Sequence, residues 1–180
     1  MACYNQHMNI AEETTRKNLI FHLRYGDAHM SFDQAVANFP ERDVNARLPN
    51  VPYTPWHIVW HIWFCQWDIL QYSLSADYRW PKFPDGYWPP AHELADQSRW
   101  NKTIADFHRD LDEIEALIKN PAVDLFATLA WGLEPTHTLL RNFSVVADHN
   151  AYHIGELGLW RAMLNNWPAN QQRDPEILMG

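Results

Sequence analysis

His149 and His153 stand four residues apart in "ADHNAYHIGELGLW", which begins at Ala147. Residues i and i+4 of a helix share one face, so both imidazoles can reach one ion. Neutral imidazole suits transition metals, and a catalytic site commonly takes three protein ligands and keeps a position open. A third ligand then has to come from another helix. The pair sits among Val146, Ile154 and Leu157, an inward-facing setting in which unpaired imidazoles are costly. The same stripe carries Glu156 and Trp160 on one side and Asn142 on the other.

A second segment, "TPWHIVWHIWFCQWDILQYSL" from Thr54, offers His57 and His61. Both could join the pair in a closed four-His site, or one could complete an open site. His57 falls in the first helical turn, nearer solvent; His61 lies one turn deeper and is favoured, although spacing alone leaves the choice open. Cys65 follows His61 by four and is in principle a soft ligand, but a buried cysteine is more often a small hydrophobe. Glu156, His57 and Asp148 are the candidates for groups that hydrogen-bond a ligand rather than bind the ion. Asp148 and Asp68 otherwise read as solvated, capping or interface charges. Arg141 reads as a salt-bridge partner, or as a holder of a substrate anion. Tyr152 lies off the stripe and reads as packing. His22, His29, His92 and His108 show no paired spacing and read as surface or connector residues.

Other chemistries are excluded by what is missing. Asn150 follows His149, so the glutamate of an HExxH protease is absent. There is no GxSxG elbow and no phosphate-binding glycine loop.

The elements that must position these residues are helical. Apolar periodicity of the helical kind dominates, and no period-2 alternation appears. A first helix is expected from about Asn9 to Tyr25, with Ile10, Leu19, Ile20 and Leu23 facing the core and Gly26 ending it. A short one follows from Ser31 to Asn38. The second long helix starts at Thr54, a natural N-cap followed by Pro55. Trp56, Trp60, Trp63 and Trp67 form one stripe of it; Ile58, Ile62, Cys65 and Ile69 form another. A helix apolar nearly all round is either central or buries a second face against a partner subunit. The loop "YRWPKFPDGYWPP" comes next, and its aromatic residues could roof the site or pack on the bundle end. A third long helix is expected from Glu93 to Lys119, with Trp100, Ile104, Phe107, Leu111, Ile114 and Leu117 inward and Asp110, Asp112, Glu113 and Glu115 toward solvent. "NPAVDLFATLAWGLEPTH" is a compact linker with room for one helical turn. A fourth helix runs from Thr138 to Leu164. The expected fold is all-α: an up-and-down four-helix bundle with cross-connections, formed by residues 1–180 as one domain.

Composition bounds the function. The 180 residues are 47% apolar and include ten Trp, which indicates a globular chain. The formal charge of −8 disfavours nucleic acid or an anionic membrane as the main partner. No apolar run is long enough to span a bilayer, and the N-terminus lacks a signal-peptide core. Cys3 and Cys65 are too few and too poorly placed for a disulfide framework. A soluble cytoplasmic protein is expected.

The chain resembles the DinB/YfiT-like superfamily. The matching pieces are "TPWHIVWHIWFCQWDIL", the loop ending "DGYWPP", and "TLLRNFSVVADHNAYHIGEL", within about Phe32 to Trp167. The family motif has a His some five residues after a Trp in the second helix and an H-x3-H pair in the last. Here those residues are Trp56, His61, His149 and His153. The resemblance implies a four-helix bundle with a divalent metal on His61, His149 and His153; three His suit zinc, nickel, iron or copper. It also implies either transfer involving a low-molecular-weight thiol or metal-dependent hydrolysis, and no DNA-binding role. Three departures stand out. Trp60 replaces a usual acidic residue, Glu156 a usual Gln, and His137 another Gln. The expected function is thus a metal-dependent enzyme acting on a small molecule. The alternative is a metal-binding or structural homodimer without turnover; a weaker third is an apolar-ligand binder using the Trp stripe.

Overall fold

The computed structural model describes residues 10–26 and 28–168; Cys3 and the expected helix start at Asn9 lie outside them. Five helices follow one another: α1 (Ile10–Tyr25), the short α2 (Phe32–Val36), α3 (Pro55–Leu74), α4 (Gln97–Lys119) and α5 (Leu139–Met163). A 3-10 turn, Glu41–Asp43, precedes α3. Among the described residues there is no β-strand, only an isolated bridge between Thr128 and Thr138.

Local chemistry sets the ends. Gly26 takes φ +75°, and a Cβ there would strike the His29 ring. Ser31 and Gln34 close a capping box on α2. Thr54 caps α3, Asp96 caps α4 and Thr138 caps α5, each accepting from a backbone N–H three residues on. Asp96 moves the start of α4 from the expected Glu93 to Gln97. The 120–138 linker contains no helical turn; Leu129 N–H donates to the His137 carbonyl, folding it back at the bridge.

Side-chain bonds between helices give their directions. Gln66 Nε2 donates to the Phe107 carbonyl (2.8 Å) and Trp63 Nε1 to Asp110 (2.9 Å), so α3 and α4 are antiparallel. Asn142 bonds Ser73 (3.0 Å) and Asn150 bonds Gln66 (3.2 Å), so α3 and α5 are antiparallel too. Arg24 pairs with Glu115 and Arg16 reaches the Ile118 carbonyl, which sets α1 against α4. With α1 also packed on α5, the four long helices form a ring in the order α1, α4, α3, α5, with every neighbour antiparallel. The expected four-helix bundle is present. Its cross-connections are the segments 26–54 and 120–138, which join diagonal helices.

The core is built from Trp56, Ile58, Ile62, Trp100, Phe107, Ile114, Phe143 and Leu157, all nearly inaccessible. Burying each such side chain contributes about 1.5–3 kcal/mol. Two inward and outward assignments are corrected. Ile10 is 82% exposed, at the outermost turn of α1. Asp110 is buried because the Trp63 indole N–H and Arg109 satisfy it. The Trp stripe is a half-buried flank except for Trp56. Trp60, Phe64 and Trp67 pack on one another, while Tyr78 and Tyr87 from the following loop cover them edge-on. The second apolar face of α3 is thus met by its own chain.

Candidate metal centre

Helix α3 turns His61 toward α5, and α5 returns His149 and His153 from one face. One ring nitrogen from each of the three lies within 4.8 Å of the others. The Nε2 atoms of His61 and His149 are 3.2 Å apart. Two nitrogens on one tetrahedral ion, each at about 2.0–2.1 Å, stand about 3.3 Å from one another.

The remaining ring nitrogens are held from behind. His61 Nδ1–H donates to the Tyr87 carbonyl (2.6 Å), and His153 Nδ1–H to Glu156 Oε2 (2.7 Å). These acceptors assign the protons and leave each Nε2 as a lone pair aimed at the cluster. His149 Nδ1 is buried with no partner among the described residues. Tyr53 donates to the other Glu156 oxygen (3.1 Å). The loop expected as a roof is one: Trp88 stacks on His61 at 3.8 Å and 9°, meets His153 edge-on, and is itself stacked by Tyr53.

Electrostatics favour the neutral imidazoles a metal needs. Burial pushes His61 and His149 down to about 4, and nearby His153 adds to the shift on both. Burial, with the Glu156 charge beside it, pushes the Tyr53 phenol up to about 12, so it stays a donor. Three ring nitrogens converging on one point fit a divalent transition metal.

The other candidates are elsewhere or otherwise engaged. His57 is buried in the α3 cap: its Nδ1 accepts from the Thr54 N–H (3.3 Å) and its Nε2 bonds the Glu93 carbonyl (2.9 Å). It touches none of the three imidazoles. Asp148 is on the exposed side of α5 with no bond to them. Cys65 lies 3.5 Å from His61 Nδ1 but outside the converging set. Burial and then Asp68 push its thiol up to about 12, so it stays protonated. Asp68 is buried rather than solvated, taking hydroxyl bonds from Tyr78 (2.7 Å) and Tyr87 (3.2 Å). Arg141 has no carboxylate partner among the described residues, and Tyr152, 66% exposed, packs one edge on the His153 ring at 4.8 Å. Sequence reasoning missed Tyr53 and the Tyr87 carbonyl. A backbone acceptor carries no residue-type signal.

A family model of the DinB superfamily matches residues 24–157, well over half of the chain. The chain belongs to the DinB superfamily. The DinB match takes in α3, α4, the loop over the site and all three clustered imidazoles, and it ends one residue beyond Glu156. No curated protein and no solved structure matches the chain.

Proposed function

We propose that this DinB chain is a metal-dependent enzyme in which His61, His149 and His153 hold one divalent cation, zinc, nickel or iron. Its reaction is group transfer involving a small thiol, or hydrolysis of a small molecule. The observation that carries this reading is the convergence of three imidazole ring nitrogens, two of the rings held by acceptors behind them. Among the described residues no further His, Cys, Asp or Glu joins the set, so the chain's own ligands stop at three. When bound, the cation supplies Lewis acidity, polarising the group that takes its open position and lowering that group's pKa.

The chain's residues divide the remaining work. Glu156 and the Tyr87 carbonyl fix two rings in one tautomer. Trp88 and Tyr53 cover one side and keep water from it. The alternative, a dimeric metal-binding bundle without turnover, draws on an exposed apolar stripe on α5 formed by Tyr152, Leu159 and Met163. Dimerisation and catalysis are compatible, and we assign both.

Metal analysis of purified protein tests the centre. Wild type should carry about one equivalent of metal per chain, and His153→Ala should lose most of it. Equal, low content in both proteins refutes the reading. Metal retention with no turnover against thiol acceptors or simple amides and esters leaves the non-catalytic alternative.

A further inference from the structure

A cavity opens between the C-terminal half of α3 and the start of α5. It has a volume of about 190 Å³, and its walls include Asp68, Tyr72, Trp80, His137, Arg141 and Asn142. Its position relative to the imidazoles follows from helix geometry. Asp68 is seven residues beyond His61 on α3; Asn142 is seven residues before His149 on α5. Because α3 and α5 are antiparallel, both steps run the same way. Two turns of helix amount to about 10 Å. Cavity and imidazoles therefore share one face of each helix, about 10 Å apart.

The cavity is lined by opposite charges that do not pair with each other. Arg141 makes one side-chain bond, to Asn142 Oδ1 (3.2 Å), and no ion pair among the described residues. Asp68 accepts one hydroxyl on each oxygen, which leaves about two of a carboxylate's four acceptor positions open. Tyr72 accepts from the Leu133 N–H (2.9 Å) and donates to His137 Nδ1 (2.8 Å). With the phenol donating, His137 carries its proton on Nε2, a donor with no partner among the described residues. One wall presents an unpaired guanidinium and an imidazole N–H, the other an acidic oxygen pair. Burial raises the Asp68 pKa, and an arriving cation favours its charged form.

We propose that this cavity binds a charge-separated end group, an α-amino acid moiety, with its carboxylate on Arg141 and His137 and its ammonium on Asp68. As an extension of the metal-centre reading, the same molecule places its reacting atom at the three imidazoles, about 10 Å away. The substrate class is then a small elongated molecule with a free amino acid at one end. Tyr72 and Trp80, edge to face at 6.0 Å, form the apolar wall beside that end.

S-methylglutathione is a suitable probe, because it keeps the amino acid end and its blocked sulfur is no thiolate ligand. Calorimetric titration of zinc-loaded wild type should show binding. Arg141→Gln and Asp68→Asn should each weaken it tenfold or more, as should N-acetylation of the probe, with zinc content unchanged. Arg141 is exposed, so its variant should fold as wild type does; a thermal scan checks both variants. Failure of wild type to bind overturns the proposal, as does equal affinity of either variant or of the acetylated probe. Zinc content of wild type and His153→Ala, measured alongside, reports on the metal centre separately. A chain that binds the probe but no zinc keeps the amino acid site and loses the metal reading.

Discussion

The two oxygens of Glu156 show what a carboxylate adds over an amide at this position. One accepts from His153 Nδ1 and the other from the Tyr53 hydroxyl. Glutamine has a single acceptor oxygen and could serve only one of them. An acceptor behind a ligating imidazole sets its tautomer and basicity, and its loss typically costs 10- to 100-fold in metal affinity. Glu156→Gln should therefore weaken zinc binding by about that factor in a chelator competition, with the fold intact; unchanged affinity removes Glu156 from the site. The imidazoles also make a pH prediction for the metal-free protein. His61 and His149 are pushed down to about 4 in the folded state, against about 6.5 in an unfolded chain. Between those values the unfolded state binds more protons, so stability falls as pH drops from 6.5 toward 4 and is level above 6.5. Urea midpoints at pH 7.5, 6 and 5 should decline more steeply for metal-free wild type than for His149→Gln.

At the scale of elements, the cap of α3 decides between the two histidines that spacing left open. Thr54 and His57 are N-cap and N3, and the N3 side chain folds back to the N-cap backbone. His57 is thereby committed before the question of a metal arises. His57→Ala should lower stability by about 1 kcal/mol, as loss of a cap contact does, and leave metal content unchanged. A fall in metal content would place His57 in the site after all. The Thr54 N-cap was legible, as were the starts at Ser31 and Thr138 and the inward H-x3-H pair; His57, read as a first-turn residue nearer solvent, is instead buried as the other half of that cap. What escaped reading depends on partners far along the chain. Asp68 and Asp110 look like surface charges until tyrosine hydroxyls and an indole from other elements satisfy them. The two crossing segments are likewise tied by long-range bonds to buried arginines. Arg16 caps the end of α4 through the Ile118 and Asn120 carbonyls; Arg161 holds those of Ala35 and Ala37. Neither arginine belongs to the local pattern of the segment it anchors.

For the whole molecule, the open question is where a second copy would sit. The apolar excess of α3 pointed to that helix, but its outer flank is covered by the loop carrying Tyr78 and Tyr87. The exposed apolar stripe is on α5: Tyr152, Leu159 and Met163 are each more than half accessible, with Gly155 and Ala162 on the same side. A Cβ built on Gly155 meets nothing within 4 Å, so packing inside the subunit places no steric demand for glycine there. A glycine between exposed apolar residues suits close approach of an identical helix about a two-fold axis. Asp148, four residues before Tyr152, is exposed on the same side, so the uncharged part of the stripe is its C-terminal half, from Tyr152 to Met163. An interface of ordinary size covers about 800 Å² per subunit, so these residues would form its centre rather than its full extent. Gly155→Glu puts a charge at that centre while its side chain stands in open space within the subunit. Sedimentation velocity should show wild type as a dimer and Gly155→Glu as a monomer. The variant should keep its metal, because His149 and His153 face the other way, and its helix should be no less stable, because glycine is a poor interior helix residue. A wild type that sediments as a monomer at tens of micromolar, or a variant that stays dimeric, takes the second copy off this face.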